Sequence, residues 1–249
     1  MLCVFTLFKS LKSMYHCKEE GMSVKERIRN DIFQLASKHG FVKPAQQSYS
    51  EDILNRSLYR YLENGKINLA NIPLYLISKV PNSEDVAFNL SAKSLGDIVL
   101  DSTKIQHEHK IKIADKNIKW DAPFIEEGFY TGYEYGDFND LRVDFAYEDE
   151  DQNTITMIES KLGAVQTWGK KIPSHDYHKS AQFARYADWM IASQQNLSKR
   201  NRNLVVLSAG DFFQKQWYVR ELFDTLEYNQ RKEKILVYLI IWEDIFPMI

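Results

Sequence analysis

The sequence predicts an α/β domain: a mixed sheet flanked by helices, with helical decoration on its N-terminal side. Three observations carry this reading. A strand-turn-strand unit runs from Leu141 to Lys161. Two apolar runs, Asn203–Gly210 and Lys234–Trp242, read as buried strands, the first ending at a glycine turn. Helical periodicity fills Ser23–Gly40, Ser50–Leu62, Tyr177–Ser193 and Phe212–Tyr228, so strands and helices must share one layered core.

The elements follow in chain order. Met1–Phe8 is apolar but short, and Lys9 and Lys12 follow it, without the basic leader and small-residue cleavage site of a secretory signal. Met22 stands directly before a helical pattern and makes an ordinary start, so residues 1–22 are expected to be a loose tail or a mis-called start. Residues 23–249 are expected to form a single domain, with a helical part over 23–100 and the core over 101–249. In the first helix Val24, Ile28, Ile32, Leu35 and Ala36 make one apolar face, ended by Gly40. The second, over 50–64, takes Ser50 as N-cap and Asn64-Gly65 as its stop. Ile72–Val80 and Val86–Leu100, punctuated by Pro73 and Pro81, read as shorter helices or loops. Strand-like pieces follow between Ile105 and Tyr135, including Ile111–Ile118 and Phe129–Tyr135.

Composition sets the bounds. With 44% hydrophobic and 27% charged residues the chain has the make-up of a globular domain. The formal net charge of −2 gives no global basic footprint, so any nucleic-acid contact must rest on a local patch. No segment approaches the roughly 18 apolar residues of a membrane span. The two cysteines, Cys3 and Cys17, both fall in the N-terminal tail, which excludes a disulfide framework or a cysteine metal site in the domain and suits the cytoplasm. Trp189, Trp217 and Trp242 are expected in the core.

The chemistry concentrates in the hairpin. Asp144 lies on the first arm, within Leu141–Tyr147, and Glu159-Ser160-Lys161 closes the second, with the polar turn Glu148–Asn153 between them. Side chains alternate along a strand, so Glu159 and Lys161 share a face. Two carboxylates beside a lysine can hold a hard divalent cation and manage a water next to a phosphate. Glu-x-Lys alone is a weak signal, and Glu108-His109-Lys110 repeats it in a polar run that reads as an exposed strand or loop. The copy at Glu159 differs in its sequel: a helix carrying Gln182 and Tyr186 four positions apart, and then a buried strand.

In this ordered set the chain resembles the PD-(D/E)xK nuclease superfamily, the restriction-endonuclease-like fold. It is most similar to the branch with a Gln-x-x-x-Tyr helix, which includes lambda-exonuclease-like and RecB-like nucleases. Asp144 matches the metal-binding acid, Glu159 and Lys161 the Glu-x-Lys, and Gln182 with Tyr186 the helix motif. Val143 stands where the family's proline would be. The match covers about Leu141 to Gly210. The resemblance implies an αβββαβ core with residues 101–249 as the catalytic part. It also implies Mg²⁺ as cofactor, with Mn²⁺ as a substitute, and DNA as substrate. Asp144, Glu159 and the Ser160 carbonyl would be metal ligands, and Glu51, at the head of the first core helix, resembles a further one. Glu51 is equally a first-turn acid suited to the helix dipole.

Around this centre, Lys170 and Lys171 beside Trp168, with His178 and Arg185, are candidates for nucleic-acid contact. His107 with His109, and His175 with His178, lack a third ligand at clear spacing for a transition metal. No Walker loop or helicase motif is present, so translocation would need a motor partner. The expected activity is Mg²⁺-dependent hydrolysis of DNA phosphodiesters, in defence or in repair and recombination. The alternative is a nuclease-like nucleic-acid- or protein-binding module without catalysis.

Overall fold

The computed structural model describes residues 24–43, 51–83, 86–110, 142–162, 201–210 and 235–248, with Phe183, Tyr186, Ala187, Met190 and Phe223. The tail over 1–22, the Ser50 cap, the pieces at 111–135, Trp189, Trp217 and most of the helical stretches 177–193 and 212–228 lie outside the described residues.

The described residues begin with two helices. Helix α1, Val24–Lys38, buries Ile28, Ile32, Phe33 and Ala36, the three- and four-residue spacing that lines one face. It stops where Gly40 takes φ +72°, a left-handed conformation that lets the Phe41 N–H reach back to the Ala36 carbonyl at 2.8 Å. Helix α2, Glu51–Glu63, buries Leu54, Asn55, Leu58 and Leu62 and ends in the same way at Gly65, φ +60°. There the Lys66 N–H returns to the Tyr61 carbonyl at 2.9 Å.

The segments expected to be short helices or loops are strands instead. Strand β1, Pro73–Lys79, and strand β2, Val86–Ser94, pair antiparallel as a hairpin. Proline is tolerated because it opens the strand, and Asn82 at φ +58° serves the turn. The pairing slips between Pro73 and Tyr75, which interrupts the apolar alternation and hides the strand from a periodicity reading. What holds β1 is remote: Tyr75 pairs with Leu239 and Leu76 with Tyr238.

Among the described residues five more strands join them in one sheet of seven, in the order β2-β1-β7-β6-β5-β4-β3. Strands β3 (Gln106–Lys110), β4 (Arg142–Asp149) and β5 (Thr154–Lys161) form an antiparallel meander. Asn153 turns the β4–β5 hairpin at φ +52°, where asparagine is better tolerated than most side chains. Strand β6, Asn201–Ser208, runs parallel to β5, and β7, Leu236–Ile241, parallel to β6. Parallel pairing requires a crossover, and helical residues Phe183, Tyr186, Ala187 and Met190 lie in the β5–β6 connection, all fully buried. β5 is buried along its whole length, which is why it and β6 read as near-continuous apolar runs. Each aliphatic side chain so buried contributes about 1.5–3 kcal/mol.

The last strand ends at Ile241, one residue before the sequence boundary, and Trp242 opens a short helix, Trp242–Ile245. Trp242 is in the core, stacked on Phe246 with ring centroids 5.7 Å apart. Among the described residues no helix is long and apolar enough to cross a membrane.

Candidate active site

Register brings the first two acids together. β4 and β5 pair Phe145 with Ile158, and one position further this sets Asp144 against Glu159. Directly opposed residues of an antiparallel pair share a face, and Lys161 joins them two residues on. Lys161 is the last β5 residue in the ladder, paired with Ser208 of β6. The cluster therefore sits at the end of β5, where the parallel strands finish.

The contacts there are specific. Lys161 Nζ donates to Glu159 Oε1, and both side chains are buried. The Tyr186 hydroxyl donates to Glu159 Oε2 at 2.9 Å from the crossover helix. The Ser160 N–H donates to Asp144 Oδ2 at 2.7 Å, while the Asp144 N–H reaches Glu159 Oε2 at 3.4 Å, a long bond. Glu51, at the first turn of α2, accepts the Leu162 N–H on Oε2. Glu51 and Asp144 remain partly exposed, so the cluster opens to solvent on their side.

Electrostatics marks the cluster as short of positive charge. Burial pushes the Asp144 carboxyl up to about 8, and the Glu159 carboxylate beside it adds to the rise. Burial likewise raises Glu51, against the opposing pull of Lys161. For Lys161 burial works downward, but Glu159, Glu51 and Asp144 outweigh it and its pKa is raised. The lysine is thus an ammonium held among acids. Three carboxylates (−3) and one ammonium (+1) sum to −2 when all are ionised, and the Arg29 guanidinium near Glu51 brings the total to −1.

The donor set fits a divalent cation in kind. All three acids offer hard oxygens, which suit Mg²⁺, an ion that keeps several waters and needs few protein ligands. Among the described residues, Asp144 Oδ1 and Glu51 Oε1 accept no hydrogen bond, which leaves one oxygen of each acid for a ligand. No three acidic, imidazole or thiol groups among the described residues stand as a ready-made cage. Glu159 is instead turned onto Lys161 and Tyr186.

Of the residues singled out in the sequence, the structure brings Asp144, Glu159, Lys161, Tyr186 and Glu51 together. Ser160, expected to offer its carbonyl, meets the cluster through its N–H. Alternation sends its side chain to the other face, where the hydroxyl is buried without a hydrogen-bond partner. Gln182, Lys170, Lys171, His178 and Arg185 lie outside the described residues. His107 packs, stacking on Tyr59 at 5.3 Å and meeting Phe145 at 5.4 Å. Glu108 lies on β3, the outermost of the described strands on that side of the sheet.

Two further contributors were not singled out in the sequence. Arg29 of α1 donates from Nε to the Leu162 carbonyl at 3.0 Å. Ser208 donates from Oγ to the Lys161 carbonyl at 2.8 Å. Ser208 could have been suspected from its place before the Ala209-Gly210 strand end; Arg29 could not, because nothing local ties it to the hairpin. No family model, curated protein or solved structure matches the chain.

Proposed function

We propose that this protein is a Mg²⁺-dependent nuclease that hydrolyses DNA phosphodiester bonds, built on a PD-(D/E)xK core. The observation that carries the reading is the convergence of Asp144, Glu159 and Lys161 at the end of β5, with Glu51 arriving from α2. The element succession supports it. Helix α2, strands β3, β4 and β5, the crossover helix and β6 follow in the order α-β-β-β-α-β, with the β1–β2 hairpin inserted after α2.

The roles follow from charge and geometry. Asp144, Glu159 and Glu51 would hold the cation. An ion held by these acids would supply charge to neutralise the phosphate oxygens and to lower the pKa of a coordinated water. Tyr186 fixes Glu159 through Oε2 and so limits the carboxylate to one orientation. Lys161, an ammonium with several N–H donors, orients the water or steadies the charge that grows on the phosphate in the transition state. Arginine would be a poor substitute, since its planar guanidinium does not fit the space of a compact ammonium.

The test is direct. Purified protein is incubated with linear and circular DNA, single- and double-stranded, with Mg²⁺, with Mn²⁺ and with chelator. Cleavage that needs the metal is the expected result. DNA binding without cleavage under all conditions would replace the enzyme by a binding module.

A further inference from the structure

The β5 strand stops at Lys161, and the next residue, Leu162, is still buried. Leu162 is fully buried and lies past the last ladder pair, so neither of its backbone polar groups has a strand partner. Buried backbone groups are nearly always paired, and here side chains supply the partners. The Leu162 N–H goes to Glu51 of α2 and the Leu162 carbonyl to Nε of Arg29 of α1. The carbonyl on the other side of the same peptide link, that of Lys161, takes the Ser208 hydroxyl. Three side chains from three elements thus grip consecutive backbone groups next to the ammonium.

From this we infer that Arg29 is a positioning residue, which latches the end of β5 and thereby sets the Lys161 ammonium for the reaction. The inference rests on the nuclease reading above. A guanidinium bond to a carbonyl is charge-assisted and stronger than a neutral one. Without Arg29, the Leu162 carbonyl loses its described partner, and the Lys161–Leu162 peptide beside it is left to the bonds from Glu51 and Ser208, with more room to shift. A displacement on the order of 1 Å at a reacting group costs roughly 100-fold in rate.

Arg29→Met keeps the stem and removes the donor; Arg29→Lys keeps charge and one donor. At saturating DNA and Mg²⁺, Arg29→Met is expected to lower kcat by roughly 10- to 100-fold with KM within about twofold, and Arg29→Lys to recover most of the rate. In a Lys161→Ala background the same Arg29→Met change should cost little, because the group it positions is gone. A rise in KM at unchanged kcat would overturn the inference by making Arg29 a substrate contact. So would an equal loss in both backgrounds, or a lowered Tm with unchanged kcat. Exchange of the Leu162 amide with solvent gives a readout that needs no activity. Arg29→Met should speed it more than tenfold relative to Val205 in the core of β6. If wild-type protein cleaves nothing, the nuclease reading fails by itself, and unchanged Leu162 exchange would then reject the latch.

Discussion

Asp144→Asn should make the metal-free protein more stable while removing its response to Mg²⁺. The carboxyl rises from an ordinary 3.8 to about 8 in the folded state, through burial and the adjacent Glu159. A folded-state pKa above the unfolded one means that folding takes up a proton. The cost to stability is therefore absent below about pH 3.8 and grows as pH rises toward about 8. At pH 7 the interval crossed is about 3 units, or ~4 kcal/mol at 1.4 kcal/mol per unit. Asp144 is partly exposed, and water screens part of this, so a realistic cost is about 1–3 kcal/mol. Asparagine keeps an acceptor for the Ser160 N–H and carries no charge. In chelator at pH 7 the variant should gain about 1–3 kcal/mol, or roughly 3–10 °C in Tm for a chain of this size. At pH 4 the gain should vanish. Excess Mg²⁺ should raise the Tm of the wild type and leave the variant unmoved. The assay is thermal unfolding across pH 4–8 with and without Mg²⁺. A variant less stable than wild type in chelator at pH 7 would refute the reasoning, because Asp144 would then be a structural anchor rather than an uncompensated charge.

Further outcomes follow from neighbouring contacts. Lys161→Ala should cut cleavage by about 100-fold or more with Mg²⁺ still bound, since a transition-state partner is lost but no metal ligand is; single-turnover kinetics and calorimetric titration with Mg²⁺ check the two halves. In chelator the same variant should unfold several degrees lower, because it leaves the buried Glu159 without its cation. Tyr186→Phe removes the hydroxyl that orients Glu159 and should cost about 1–3 kcal/mol in urea unfolding, along with a lower kcat. Away from the site, Asp149 is held by Lys104 at 2.8 Å, by the Gln152 N–H at 3.0 Å and by the Tyr147 hydroxyl at 3.1 Å. These bonds lower its pKa to about 2, so its contribution is present above about pH 3.8 and lost as pH falls through about 2. Asp149→Asn should be less stable than wild type at pH 5, and urea midpoints of the two should converge near pH 2.

Whatever is written in local period could be read from the chain alone. The spacing Ile28, Ile32, Ala36 made α1 a helix with one buried face, and Gly40 ended it because only a left-handed turn closes there. Alternation put Glu159 and Lys161 on one side of β5, and the Asn153 turn set the register that brings Asp144 to them. The continuous apolar runs of β6 and β7 announced strands buried on both faces. Only the tertiary structure decided the rest. The β1–β2 hairpin is a member of the sheet because β7, far along the chain, offers β1 an edge to pair with, and its own bulged pattern carried no such message. Arg29 and Glu51 lie 133 and 111 residues from the Leu162 backbone they hold. The raised pKa of Asp144 is likewise a property of enclosure, produced when the surrounding core removes water from it and Glu159 sets a like charge beside it. Periodicity fixes which side of an element is apolar, but a side chain that satisfies a strand end or loses its solvent does so only once the elements have packed.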